Sequence, residues 1–267
     1  MTIITSKDNP SVKLYSKLSS SKKERNNYKM YVLEGYRLIC EALSESNVVS
    51  QIFFTEDAYN KYYNDLSQVD LKEVKVLIIS NELGIKISET EKTQGIFAIC
   101  KMSSKLDLKN MVKPDGKYVV LYQLQDPGNL GMIIRTADAF GIDGVILSES
   151  CELYNPKVIR STMGSVFHIK IAHGCAIDEV FEVFNEKNIR SYAAVVDSGA
   201  VSLKKCSFEN GGAVLIGNEG NGLPDDIADM CTQRITIHMS GNANSLNAAM
   251  ATGIIMWEMT SNSEENI

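Results

Sequence analysis

At 267 residues the chain is long for one compact domain and comfortable for two. A composition of 44% hydrophobic and 22% charged residues excludes disordered and collagen-like classes and predicts ordinary buried cores. The net charge of -6 is unevenly spread: residues 1–29 carry seven basic and two acidic side chains, a local excess of +5 that leaves -11 for the rest. Screening limits the reach of distant charge to about 10 Å, so this basic arm can attract phosphate although the body is acidic; a solvated helix face explains it equally well.

The basic arm opens the chain as a helix, with Val12, Leu14, Tyr15 and Leu18 at helical spacing. Short strands rich in β-branched and aromatic residues follow at Tyr31 to Leu33, Gln51 to Thr55, Val74 to Ser80 and Gly95 to Cys100. Residues 1 to about 100 thus read as a small α/β module. Lys101 to Lys117, polar and containing Pro114, Asp115 and Gly116, reads as a linker. Beyond it, Tyr118 to Leu124, Gly144 to Leu147, His168 to Ile171, Tyr192 to Val196, Ala213 to Gly217 and Arg234 to Met239 are strand candidates separated by helical segments. This alternation predicts a mostly parallel sheet covered on both faces, with ligands at the carboxyl ends of the strands.

No apolar run has the length of a membrane span and the first residues lack a secretory pattern, so a soluble cytoplasmic protein with no membrane partner is expected. Cys40, Cys100, Cys151, Cys175, Cys206 and Cys231 form no C-x-x-C pair, so no metal site and no disulfide framework is expected.

Three clusters fall at predicted strand ends. Asp126-Pro127-Gly128-Asn129 makes a turn into a helix that Asn129 can cap and that carries Arg135. Gly217-Asn218-Glu219-Gly220-Asn221-Gly222 lets backbone N–H groups approach a ligand closely, yet its G-x-x-G-x-G spacing is neither a dinucleotide fingerprint nor a P-loop. Ile237-His238-Met239 leads through a loop to Ser245-Leu246-Asn247-Ala248-Ala249 at a helix start, where Ser245 can cap. In that helix Leu246, Ala249, Met250, Gly253, Ile254 and Trp257 form a stripe predicted to be buried. Taken singly, each cluster also admits a purely structural reading as cap or tight turn.

In combination and order, N-x-G-x-x-x-R-T-A (Asn129 to Ala137), G-N-E-G-x-G-L (Gly217 to Leu223) and I-x-M followed by S-L-N-A-A (Ile237 to Ala249) resemble the three motifs of the SpoU (TrmH-like) RNA 2'-O-ribose methyltransferases of the SPOUT superfamily. Asn155 to Gly164 resembles the intervening P-K-x-x-R-x-S-x-G element. Ile4-Thr5-Ser6, Asn9-Pro10, Leu33-Glu34-Gly35 and Thr93-Gln94-Gly95-Ile96 resemble the substrate-binding domain that precedes many of these enzymes and is related to RNA-binding ribosomal proteins.

The resemblance implies an α/β trefoil-knot methyltransferase domain over residues 115–262, preceded by a small α/β ribosomal-protein-like RNA-binding domain over residues 1–105. It implies S-adenosyl-L-methionine as cofactor, held at Gly217, Ile237, Met239, Leu246 and Ala248. The reaction centre would comprise Asn129, Arg135, Glu219, Ser245 and Asn247. The implied partners are RNA, ribosomal before transfer RNA, and a second copy of the chain, with Arg135 and the Arg160 segment approaching the pocket from either subunit. The family makes the arginine the proton acceptor; because guanidinium stays charged in proteins, orientation of a target phosphate is the better expectation for Arg135. His238 stands where proline is common in the family. A non-catalytic RNA-binding protein that has kept the fold is the competing reading.

Overall fold

The computed structural model describes residues 2–45, 48–66 and 71–261. The chain divides into two compact units: residues up to Ser104 together with Tyr154–Phe167, and Lys105–Leu153 together with the residues from His168 on.

The first unit opens with β1 (Ile3–Ile4), α1 (Pro10–Ser20), α2 (Lys22–Tyr28), β2 (Met30–Glu34) and α3 (Tyr36–Ser44). It continues through β3 (Val49–Thr55), α4 (Glu56–Leu66), β4 (Lys75–Ile79), α5 (Asn81–Ile87) and β5 (Ile96–Lys101). Its five strands lie in the order β1-β4-β3-β5-β2, parallel at β1/β4 and β3/β4 and antiparallel where β5 meets β3 and β2. Pro10 at the first helical position and Asn9, whose side chain accepts the Ser11 N–H, start α1. The helix buries Val12, Tyr15 and Leu18, and the Tyr15 ring meets Phe53 and Phe97 edge-on at 5.8 and 5.5 Å.

The second unit begins with α6 (Leu108–Met111), β6 (Lys117–Tyr122), α7 (Pro127–Ala139) and β7 (Gly144–Ser148). The next helix, α8 (Pro156–Thr162), belongs by its contacts to the first unit, where it packs on β2. Then come β8 (Ile171–Cys175), α9 (Ile177–Lys187), β9 (Ser191–Ala194), β10 (Val201–Ser202), β11 (Gly212–Ile216), α10 (Asp225–Met230), β12 (Gln233–Thr236) and α11 (Ala248–Ser261). The seven strands are ordered β10-β12-β9-β11-β6-β7-β8 and every described pairing is parallel. β6, β7 and β11 are almost wholly apolar because parallel strands are covered on both faces. Chain order runs outward from β6 to β7 and β8 on one side, while β11 flanks β6 on the other, so the sheet changes direction between β6 and β11. That is where open α/β sheets form a crevice at their carboxyl edge.

Several expectations need correction. The predicted linker contains α6, whose Leu108 and Met111, with Val112, are buried in the second unit's core. β8 is three residues later than expected; it is an edge strand, whose single neighbour leaves a weak sequence pattern. β6 ends at Tyr122 because Gln123 turns left-handed at φ 54°, and β12 ends at Thr236 because Ile237 and Met239 turn to line a cavity. The α11 stripe is exposed at Leu246, Met250, Ile254 and Trp257; Ala249, Thr252, Ile255, Met256 and Met259 are the buried positions. Among the described residues no helix is long and apolar enough to cross a membrane, and no His, Cys, Asp and Glu cluster is suited to a metal.

Candidate active site

The carboxyl ends of β9, β11 and β12 and the start of α11 enclose a cavity of about 560 Å³. Its wall is apolar at Ile216, Ile237, Met239, Leu246, Ala248 and Ile255, and polar along the Gly217–Leu223 loop and at Ser245. Gly217 cannot be replaced without moving this loop, because a Cβ there would lie 2.2 Å from the Gly222 backbone. Asn218 and Gly222 exchange two backbone hydrogen bonds of 3.0 and 2.9 Å, closing the loop on itself.

Asn218 braces the loop from inside. Its Oδ1 accepts the Gly220 and Asn221 N–H groups at 2.8 and 3.1 Å, and its Nδ2 donates to the Gln123 carbonyl at 2.9 Å. The left-handed turn at Gln123 aims that carbonyl away from the β6 ladder, a conformation that costs a non-glycine residue about 1 kcal/mol or more.

A chain of side-chain hydrogen bonds then joins the three sequence clusters. Glu219 Oε2 accepts the Gln125 N–H at 3.0 Å, and Oε1 accepts the Asp126 N–H at 2.9 Å and Asn129 Nδ2 at 3.0 Å. Asn129 Oδ1 accepts Asn247 Nδ2 at 3.0 Å, and Asn247 Oδ1 accepts the Ala249 and Met250 N–H groups. Burial opposes ionisation of Glu219, but the donors from Gln125, Asn129 and Asp126 together outweigh it and hold the carboxyl below its ordinary value. Glu219 is therefore an anionic brace held by three donors.

Two caps differ from the sequence reading. Asp126, not Asn129, caps α7, accepting the Asn129 N–H at 2.8 Å, so Asn129 lies in the first turn and its side chain is free to reach Glu219. Asn247, not Ser245, caps α11, and Ser245 is left exposed on the cavity wall.

All five expected cofactor positions, Gly217, Ile237, Met239, Leu246 and Ala248, line the cavity, as do Glu219 and Ser245. Asn129 and Asn247 reach it through Glu219. Arg135 does not line it: six residues after Asn129 on α7, it is about 9 Å further along the helix, turned roughly 120° away, and solvent-exposed. His238 is likewise exposed and outside the cavity lining. At the rim Arg234 is held between Asp225 at 2.9 Å and Asp229 at 2.7 Å, which occupies its charge. Asp126 and Asn218 stand in the sequence clusters without a role of their own, and Gln123 lies outside them. Asn218 sat inside the quoted loop motif, where an Asx side chain facing following N–H groups is a recognisable signal.

The likeness to known proteins extends over nearly the full length of the chain. A family model described as the SpoU rRNA Methylase family matches residues 116–257, and one described as the MRM3-like substrate binding domain matches residues 9–98. The 23S rRNA (guanosine(2553)-2'-O)-methyltransferase RlmP of Bacillus subtilis is 30% identical over 260 residues, 97% of this chain and 99% of that protein. The crystal structure of an AdoMet-bound rRNA methyltransferase from Sinorhizobium meliloti matches with a TM-score of 0.85 at 29% identity, covering 98% of each chain. A crystal structure of an RNA 2'-O ribose methyltransferase matches with a TM-score of 0.83 at 26% identity, covering 98% of this chain and 99% of that one.

Proposed function

The chain belongs to the SpoU rRNA methylase family, and we propose that it methylates a ribose 2'-hydroxyl of structured RNA, ribosomal before transfer RNA, with S-adenosylmethionine. The observation that carries this reading is the convergence of three distant clusters on one cavity, joined by the Glu219–Asn129–Asn247 hydrogen bonds. The full-length likeness to RlmP, named for 2'-O-methylation of 23S rRNA, supports the substrate class.

The residues fit the cofactor. A cavity of about 560 Å³ suits a nucleoside-sized ligand, its apolar wall suits a flat base, and Gly217 keeps the loop free of a side chain. When bound, S-adenosylmethionine supplies the electrophilic methyl group. Gly217, Ile237, Met239, Leu246 and Ala248 hold it; Asn129, Glu219 and Asn247 fix the loops around it, and Ser245 offers a hydroxyl on the wall. Alignment of the ribose oxygen by these fixed groups supplies much of the rate. Glu219, with three donors on its carboxylate, is a brace and not the base. Arg135 orients a target phosphate and lowers the hydroxyl pKa as a permanent cation. Residues 1–105 select the RNA and residues 115–262 carry out transfer, in the cytoplasm.

The enzyme works as a homodimer in this reading. An exposed apolar strip comprises Leu246, Met250 (58% exposed), Ile254 and Trp257 (53%) on the α11 side and Met132 (54%) on α7, which packs against α11. A helix that turns large apolar side chains outward as well as inward needs cover, and a second copy supplies it. Such a partner also explains why Arg135, on α7, is turned out from its own cavity.

Mapping 2'-O-methylation across total RNA from cells with and without the protein tests the proposal. One or a few ribosomal riboses are expected to lose their methyl group, and unchanged ribosomal RNA contradicts the substrate assignment.

A further inference from the structure

Arg25 is an arginine only 3% exposed. Its Nη1 donates to the Leu18 and Ser19 carbonyls at 2.6 and 3.0 Å, the last acceptors of α1, where a cation also suits the helix dipole. Ser21 ends α1 and starts α2 at once: its N–H donates to Lys17 O, and its hydroxyl accepts the Glu24 N–H at 3.3 Å. At the far end of α2, left-handed Lys29 accepts the Met102 N–H at 2.9 Å, tying the helix to the end of β5. The α1–α2 corner is thus fixed at three points without an intervening loop.

The outside of this rigid corner is basic. Lys17 lies in the last turn of α1, Lys22 and Lys23 open α2, and Lys29 closes it; all four are exposed and form no ion pair among the described residues. Lys13 is exposed too but pairs with Asp8 at 2.9 Å. Glu24 is the one acid in α2 and is half-buried. Lys22 and Lys23 stand side by side at a helix start, where both the dipole and their mutual repulsion disfavour cations. Among the described residues no acidic side chain pairs with either of them. Between them and Lys29, Tyr28 is 48% exposed, flanked by exposed Asn26 and Asn27.

We propose that the α1–α2 corner is the docking surface for the RNA backbone, with Lys17, Lys22, Lys23 and Lys29 on phosphates and Tyr28 stacking on an unpaired base. The proposal rests on the RNA-methylation reading and adds to it the face that takes the RNA. A rigid corner that presents unpaired ammonium groups, with one exposed aromatic ring at the far end of α2, offers both the phosphate contacts and the stacking platform that an RNA loop requires. The acidic remainder of the chain does not cancel this field at contact distance in physiological salt.

The test is filter binding of the full chain to end-labelled, protein-free ribosomal RNA across a salt series, beside transfer of radiolabelled methyl to the same RNA. Replacing Lys17, Lys22 and Lys23 with Ala is expected to weaken binding at least tenfold and to reduce the slope of log K against log salt by about 2, leaving S-adenosylmethionine affinity unchanged. Tyr28→Ala is expected to weaken binding roughly five- to 150-fold with the slope intact. A control that replaces Lys61, Lys86 and Lys92 changes the net charge equally and should bind as the parent does. If the parent methylates RNA and the corner variant matches the control in affinity and slope, the docking surface is overturned while the activity stands. If the parent binds no RNA but binds phosphatidylserine vesicles, both are overturned.

Discussion

Glu219 and Arg135 illustrate how two charged residues of neighbouring motifs come to different uses. Glu219 accepts three hydrogen bonds, from Gln125, Asp126 and Asn129, and so links the loop after β11 to the loop after β6. Bonds to a charged acceptor contribute about 1.5 to 3 kcal/mol each, so Glu219→Ala is expected to cost about 2 kcal/mol or more and lower the melting temperature by roughly 4–8 °C. A depressed carboxyl stabilises fully above its unfolded value of about 4.3, and that contribution is lost as pH falls through the folded value. Cofactor affinity measured by calorimetry should therefore drop on acidification below about pH 4 in the parent, and this acid-linked component should be absent in Glu219→Gln. Among the described residues Arg135 has no such partners, and it is exposed to solvent. Arg135→Lys keeps the charge but loses the planar fork, so methyl transfer to RNA should fall about tenfold or more with cofactor affinity unchanged. Full transfer at neutral pH would remove the phosphate-orienting role.

At the scale of elements, α11 has two duties. Its first turn is capped by Asn247 and forms cavity wall at Ala248, Ala251 and Ile255, while its outward face shows Met250, Ile254 and Trp257. Helical spacing alone makes that face a core stripe, because apolar periodicity is the same whether a helix is covered by its own chain or by another. Introducing Glu at Met250 and Trp257 together should convert a particle of twice the chain mass in sedimentation to one of chain mass; an unchanged sedimentation profile would rule out this face as the interface. The strands were more legible than the helix caps. Continuous apolar runs such as Val119 to Leu121 and Ala213 to Ile216 announce buried parallel strands. Whether Asp126 or Asn129 caps α7, and Asn247 or Ser245 caps α11, depends on which side chain is drawn elsewhere by a tertiary partner. Two-residue β10 lies below any pattern, and α6 hides within a polar stretch because only Leu108, Met111 and Val112 reach the core.

For the whole molecule, the order of the motifs along the chain and their place at strand ends were enough to indicate one site, and the family resemblance named its chemistry. The ties that assemble it were not legible, since Asn247 meets Asn129 across 118 positions and no local pattern records such a contact. The proposed chemistry depends on S-adenosylmethionine binding in the cavity beside Gly217. Isothermal titration calorimetry on the parent and on Gly217→Ala tests it most directly, because the added Cβ collides with the Gly222 backbone and reshapes the loop at a cost of about 1–3 kcal/mol. One molecule of S-adenosylmethionine is expected to bind per parent chain, with affinity reduced at least tenfold in a variant that is still folded. No heat of binding to the parent at millimolar ligand, or equal affinity in the two proteins, would contradict the account.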